Sequence, residues 1–399
     1  MFGYLKIFIL IFILMVDIRW FSYVNLNYGA YLAYAKWLSV IMFFYIILNK
    51  GKTNLNNGII MKQIFCFMLF PFISILMAGL FHDQDLLNSL NATSMHLGYS
   101  LFFLMLIWEV PYNSVLKSVV VLGLIWCMIQ IIQQITAPVF LFSNSVALLQ
   151  DAEVGNDRNG IYRYMPLGYQ FGLIFLFYFF QQYLEKKKNY SLIGIVIGLL
   201  GVYFTATRQT IGVTILCLVI GMFISKKIKL SAFLGISVLF YVIIMNFDAL
   251  FGQFIEKTAD KDDMSTVARL NAYSIYGLEL NDWNPLKMIL GNGDPGRGTM
   301  YQRYIRNIEI RQWAVRADIG IVGMYYTYGL IYVTAIFIFF IKIFRKWKFV
   351  DLYLKLFVIF IVCTSPMLWH FGYSSAYIGI YSFIYYLLEK NIHKNLNIK

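Results

Sequence analysis

One arginine stands alone in a long oily stretch: "GVYFTATRQTIGVTILCLVIG", residues 201–221, carries no charge except Arg208. Further on, "RGTMYQRYIRNIEIRQWAVR" (297–316) sets Arg297, Arg303, Arg306, Arg311 and Arg316 against a single carboxylate, Glu309. Arg269 precedes them in "MSTVARLNAYSIYGLEL" (264–280), and Asp318 follows Arg316 by two positions. A guanidinium is a planar fork that grips phosphate oxygens in pairs and keeps its charge in a partly dry site. Such groups suit an anion site, where they stabilise charge growing on a departing oxygen. The plain alternative for any one of them is snorkelling at the lipid boundary or ion pairing in a loop. Asp318 reads either as a cap on the helix that starts there or as an ionised base beside the arginines, with Asp294 and His370 behind it. "GNGDPGRG" (291–298) is a glycine-rich turn that either only connects or lets backbone amides approach a phosphate; it fits no nucleotide-loop spacing.

The elements that carry these residues follow from composition. Of 399 residues, 60% are hydrophobic and 13% charged, about half the charge of a soluble domain. Apolar runs of membrane-crossing length recur along the chain. The expected fold is an all-α polytopic membrane protein of about twelve transmembrane helices, forming one integral membrane domain over 1–399. They are placed at 3–18, 29–49, 60–81, 93–110, 118–136, 166–184, 190–206, 209–225, 230–247, 317–343, 350–367 and 373–388. A smaller loop spans 137–165, and a large one spans 248–316 between helices 9 and 10. The first run is read as a retained span, because no small-residue cleavage site follows it. Cys66, Cys127, Cys217 and Cys363 lie in apolar runs without metal-ligand spacing and read as packing residues.

Twelve spans gather Lys50, Lys52 and Lys62, Lys186–Lys188, Lys226, Lys227 and Lys229, Arg345, Lys346 and Lys348, and Lys390, Lys394 and Lys399 on one face. By the positive-inside rule that face is cytoplasmic and holds both termini. One helix over 190–225 would be about 54 Å long and would strand a lysine cluster outside. A hairpin puts both clusters inside and Arg208 at the outer boundary. Ten of the eleven arginines then fall outside or at that boundary, including Arg19, Arg158 and Arg163. The formal charge of +13 is therefore a topology signal and needs no nucleic acid. In the large loop "DKDD" (260–263) is acidic, and 264–280 reads as an amphipathic surface helix capped by Asp263 or Ser265.

Three pieces in this order resemble the O-antigen polymerase and ligase superfamily of bacterial envelope glycosyltransferases. They are "TATRQT" with Arg208 between two apolar spans, Arg269 followed by the Gly-x-Gly turn "GNGDPG", and "RADIGIVGMYYTYGLIY" after the loop. The resemblance covers about residues 190–335 and implies a GT-C-like architecture. Ligases of this superfamily carry a histidine in the large loop, but the four here are His82, His96, His370 and His393, all outside it. That departure points to a Wzy-type polymerase, with a ligase or a flippase-type transporter as alternatives.

The resemblance implies repeat units carried on undecaprenyl pyrophosphate and joined on the periplasmic face of the inner membrane. Membrane lipid and a chain-length regulator protein are the further partners, and no cofactor or metal is expected. Arg208, Arg316 and Asp318 are the expected catalytic residues; Arg269, Arg297, Arg303, Arg306 and Arg311 are expected to bind substrate.

Overall fold

A computed structural model describes residues 2–18, 20, 28–49, 58–137, 139, 141–142, 157–158, 161–162, 166–225, 264–372 and 374–397. Helices stand where eleven of the twelve spans are expected. The segment 230–247 lies outside the described residues, as do Arg19, Arg163, the "DKDD" stretch with Asp263, residues 248–263 of the large loop and most of 137–165.

The count of twelve crossings is not matched. Among the described residues five helices are long and apolar enough to cross a membrane: Met61–His82, Leu86–Ile107, Tyr112–Thr136, Arg208–Ser225 and Arg316–Arg345. Shorter apolar stretches lie at Leu5–Val16, Leu38–Leu48, Asn189–Tyr203 and Leu352–Thr364. At 1.5 Å per residue, the 15 residues of Asn189–Tyr203 and the 13 of Leu352–Thr364 fall short of a core of about 30 Å, which is why these two do not qualify alone. The protein is an α-helical membrane protein by this measure.

Small residues let the bundle close, as is common where lipid supplies no hydrophobic drive between helices. A Cβ on Gly123 would sit 2.4 Å from the Phe171 carbonyl, so Tyr112–Thr136 and Tyr169–Lys186 approach backbone to backbone there. The core is aromatic: the ring of Phe67 lies 5.2 Å from Phe371, 5.5 Å from Phe339 and 5.8 Å from Tyr332.

The two ends of the bundle differ. At one, Asp351 and Asn391 exchange hydrogen bonds, Asn391 and Tyr353 meet Tyr112, and Lys394 covers the Tyr112 ring at 5.3 Å. Lys6 donates to the Trp108 carbonyl at this end, and Glu389 accepts from the amides of Ile59 and Ile60. The lysine-rich turns around 186–188 and 346–348 adjoin it, through the Tyr353 amide bonded to Gln181. The opposite end carries the segment 264–319, whose Ala272, Ile275, Tyr276, Tyr301, Ile305, Ala314 and Ile319 build a second, small core with Tyr326 of Gly320–Arg345.

Within that segment each short helix has a local cause. Asn284 caps Pro285–Leu290, with proline at the first helical position. Thr299 caps Met300–Arg311 by accepting from the Gln302 amide, while the Gln302 side chain reaches back to the Gly298 amide. Tyr301 and Ile305 form its buried face, leaving the arginines outside.

Candidate active site at a broken helix

Gly320–Arg345 is interrupted at Gly329, whose φ of 78° and ψ of 177° are not helical. A break frees the carbonyls before it, and a buried carbonyl needs a donor. The glycine-rich turn supplies them. Asn292 and Gly293 donate their amides to Tyr326 O and Thr327 O, each at 2.8 Å. Close approach requires glycine on both strands: a Cβ on Gly291 would stand 2.4 Å from Thr327 O, and one on Gly329 would stand 2.2 Å from Ile289 O. Gln84 then holds the rest of the turn, donating to Asp294 O at 2.9 Å and accepting from Gly296 N at 2.6 Å.

This docking carries Asp294 to Arg316. Their side chains pair at 3.2 Å and are only 8% and 13% exposed. Arg316 also donates to the Thr327 hydroxyl at 2.9 Å and lies over the Trp369 ring at 5.0 Å. The second oxygen of Asp294 accepts from Tyr328, whose hydroxyl also meets His96 Nε2 at 2.9 Å. The other nitrogen, His96 Nδ1, lies 3.2 Å from Phe67 O. That carbonyl is available because Pro71, four residues on, has no N–H to donate within Met61–His82.

These contacts make a chain from Phe67 O through His96 and Tyr328 to Asp294. It has three links, but a neutral imidazole and a phenol bring only two protons when Asp294 is ionised. A further proton, on Asp294 or His96, completes it. The arrangement is chemically a proton acceptor, with Arg316 beside it holding a positive charge.

Two buried donors flank Arg316 without a hydrogen-bond partner among the described residues: the Trp369 indole N–H and the Tyr276 hydroxyl. Buried polar atoms left unpaired mark a place where a ligand or water belongs.

The expected site residues divide sharply. Arg316 is in the buried network, but its carboxylate partner is Asp294 and not Asp318, which is exposed in the turn Arg316–Ile319. Arg297, Arg303, Arg306 and Arg311 are exposed, and Arg269 is half-buried on Met264–Gly277. The strand Asp157–Arg158 pairs with Ile161–Tyr162. Arg208 opens the helix Arg208–Ser225 after a two-residue break from Asn189–Tyr203 and Phe204–Thr205, so the hairpin exists.

One short segment ties the hairpin tip to the rest. Gln209 donates to Thr364 O at 3.4 Å, Ile321 N to Ser365 O at 2.9 Å, and Tyr273 to Pro366 O at 2.5 Å. His370 follows, buried between the Thr364 hydroxyl at 2.6 Å and the Tyr381 hydroxyl at 2.5 Å. Burial pushes its imidazole down to about 3, so it is a neutral link and not a charged one at neutral pH. Thus the partner of Gln209, which follows Arg208 in the chain, and the ring beneath Arg316 belong to the same stretch, 364–370.

Sequence reasoning missed His82, His96 and Tyr328. His82 stacks on Tyr301 with centroids 3.8 Å apart and meets Asn292 Oδ1 at 3.2 Å. Pro71 four residues after Phe67 was a usable sign that something must donate to Phe67 O. Among the described residues no group of His, Cys, Asp and Glu is arranged to hold a metal ion. Compared with known proteins, the chain matches no family model and no curated sequence.

Proposed function

We propose that this protein is a glycosyltransferase that polymerises oligosaccharide units borne on undecaprenyl pyrophosphate, extending an O-antigen or related surface polysaccharide. One observation carries the reading: a buried Arg316–Asp294 pair, joined to a proton-accepting chain and flanked by the unpartnered donors of Trp369 and Tyr276. In this reading the chain is a multi-pass inner-membrane protein with both termini cytoplasmic. The loop end, with its arginines, faces the periplasm. The separation of lysines and arginines to opposite ends of the bundle supports that orientation.

The acceptor hydroxyl attacks the anomeric carbon of the donor glycan. The bond from that carbon to the diphosphate oxygen breaks, and its electron pair leaves with the lipid diphosphate. The hydroxyl proton passes to Asp294, where it supplies the proton missing from the chain to Tyr328 and His96. Guanidiniums stabilise the charge on the departing diphosphate, each such donor being worth about 10²–10³ in rate. Arg208 takes that role at the hairpin tip, with the Trp369 and Tyr276 donors beside Arg316. Arg297, Arg303, Arg306 and Arg311 gather the anionic headgroup from solution, and Arg269 lines the approach.

A second reading has one observation in its favour. The imidazole that ligases carry in the large loop is supplied here by His82, packed on Tyr301 of that loop. Gene deletion followed by gel analysis of the lipopolysaccharide separates the classes. Loss of a polymerase leaves lipid A core capped with a single repeat unit. Loss of a ligase leaves uncapped core, with polymer still on the lipid carrier. Loss of a flippase leaves neither polymer nor single-unit caps. Uncapped core or unchanged banding in the deletion strain would refute the polymerase.

A further inference from the structure

A cleft of about 440 Å³ opens at the loop end, lined in part by Tyr301 and Tyr326 of the small core there. Tyr301 donates to Gly293 O at 3.2 Å, one residue from Asp294, and its hydroxyl meets that of Tyr326 at 3.2 Å. These two buried rings form the floor of the cleft, and through Gly293 they adjoin the residue that bears the proton-accepting carboxylate.

The lining is chemically unlike the arginine-bearing surface beside it. Its fixed charges are the carboxylates of Asp83 and Asp282 against the ammonium of Lys287. Lys287 is already committed, pairing with Asp282 at 2.6 Å and lying over the Phe81 ring at 5.1 Å. A diphosphate would meet net repulsion there, while Arg303 and Arg306 stand exposed on the neighbouring helix face. The cleft instead offers aromatic surface and hydrogen-bond acceptors together. Tyr304 is 48% exposed at its rim, and Asp83 is exposed at the end of Met61–His82. Sugars match that pairing: their C–H faces pack on aromatic rings, and their hydroxyls donate to carboxylates in charge-assisted bonds. The volume falls within the range of ligand clefts, about 300–1,000 Å³.

We propose that this cleft is the subsite for an uncharged sugar of the acceptor glycan, with Tyr304 as its stacking platform and Asp83 as its hydroxyl acceptor. Phosphate and sugar are thereby sorted to two surfaces, arginine-rich and acidic-aromatic, that meet at the Asp294 chain. That the glycan is an acceptor rests on the polymerase reading; that the cleft binds a sugar rests on its own lining.

The test uses the full-length protein in lipid nanodiscs. Isothermal titration is run with lipid-free oligosaccharides released by mild acid from the producing bacterium's surface polysaccharide, and separately with inorganic pyrophosphate. Tyr304→Ala and Asp83→Asn are each expected to weaken oligosaccharide binding about tenfold and leave pyrophosphate binding unchanged. Both positions are exposed, so neither variant removes a buried contact. Absence of oligosaccharide binding by the unaltered protein, or binding unaffected by both substitutions, overturns the proposal. Failure of the polymerase reading is seen elsewhere, in the banding of the deletion strain. Unchanged banding with oligosaccharide still lost in Tyr304→Ala keeps the cleft and refutes the polymerase.

Discussion

Arg316 and Arg306 lie ten residues apart in one arginine-rich segment, yet they occupy opposite physical situations. Arg316 has a side chain 13% exposed, ringed by Asp294, Thr327 and Trp369. Arg306 is exposed on a helix whose buried face is Tyr301 and Ile305, as are Arg303 and Arg311. A buried guanidinium must be paired, because removing its partner leaves a charge with no solvent. An exposed one owes nothing to the fold and is available to a ligand. The difference assigns Arg316 to holding the carboxylate and leaves the surface set free for the anion that the proposed function requires, although the two kinds are indistinguishable by type or spacing.

The largest effect that tests this contrast is Arg316→Ala. It strands Asp294 in a buried site and is expected to cost about 3–5 kcal/mol, together with all polymer formation. Thermal unfolding in detergent and gel banding read the two losses. Asp294→Asn keeps the size but loses the charge opposite Arg316, one of the two acceptor oxygens and the proton site: it should cost less stability than Arg316→Ala, and elongation should stop. An Arg316→Ala protein as stable as the parent would erase the distinction between the two arginine classes.

Next comes Arg208, which belongs with neither class because it is half-buried at a hairpin tip. Arg208→Ala is expected to abolish chain elongation, and Arg208→Lys to restore it poorly, since lysine keeps the charge but loses the fork. Long-chain polysaccharide of normal length in the Ala variant would remove Arg208 from the mechanism.

The sequence made the helices legible and the pairing illegible, for physical reasons. Apolar runs of crossing length were enough to place Met61–His82 and Tyr112–Thr136, and lysines beyond each flank placed the hairpin broken at Arg208. They could not say which helices reach across a membrane. Asn189–Tyr203 and Leu352–Thr364 fall short in length because their ends are spent in turns at 204–207 and 365–372. Asp318 drew attention by standing two residues from Arg316, but a 3-10 turn leaves it at the surface. Asp294 lies 22 residues away and arrives only because Gly291 and Gly329 allow two backbones to touch. His96 is 232 residues from Tyr328, and no local pattern encodes that meeting.

A milder effect is expected when the surface set is removed together. Arg303, Arg306 and Arg311 all changed to Gln should leave stability within about 0.5 kcal/mol, as for surface substitutions away from special contacts. Polymer should shorten, and the shortening should be matched in the parent protein by raised salt in a reconstituted assay, because screening weakens exposed charges first. Destabilisation comparable to Arg316→Ala would mean that these side chains are structural after all.

The smallest effect concerns the segment that joins the two classes. His370 is held neutral by burial, with its imidazole down at about 3 against about 6.5 when unfolded. Between those values the unfolded chain binds a proton that the folded one refuses. The contribution of His370 to stability is therefore fully present above about pH 6.5 and falls away as pH drops toward 3. His370→Gln should lose the Thr364 and Tyr381 bonds in part, lowering Tm by a few degrees at pH 7.5. The gap between the two proteins should then narrow as pH is taken from 7 to 5. A gap that stays constant across that range would mean that His370 is solvated in the fold, and one that widens that it is protonated there. The 364–370 link between Gln209, beside Arg208, and Arg316 would then be looser than its buried contacts imply.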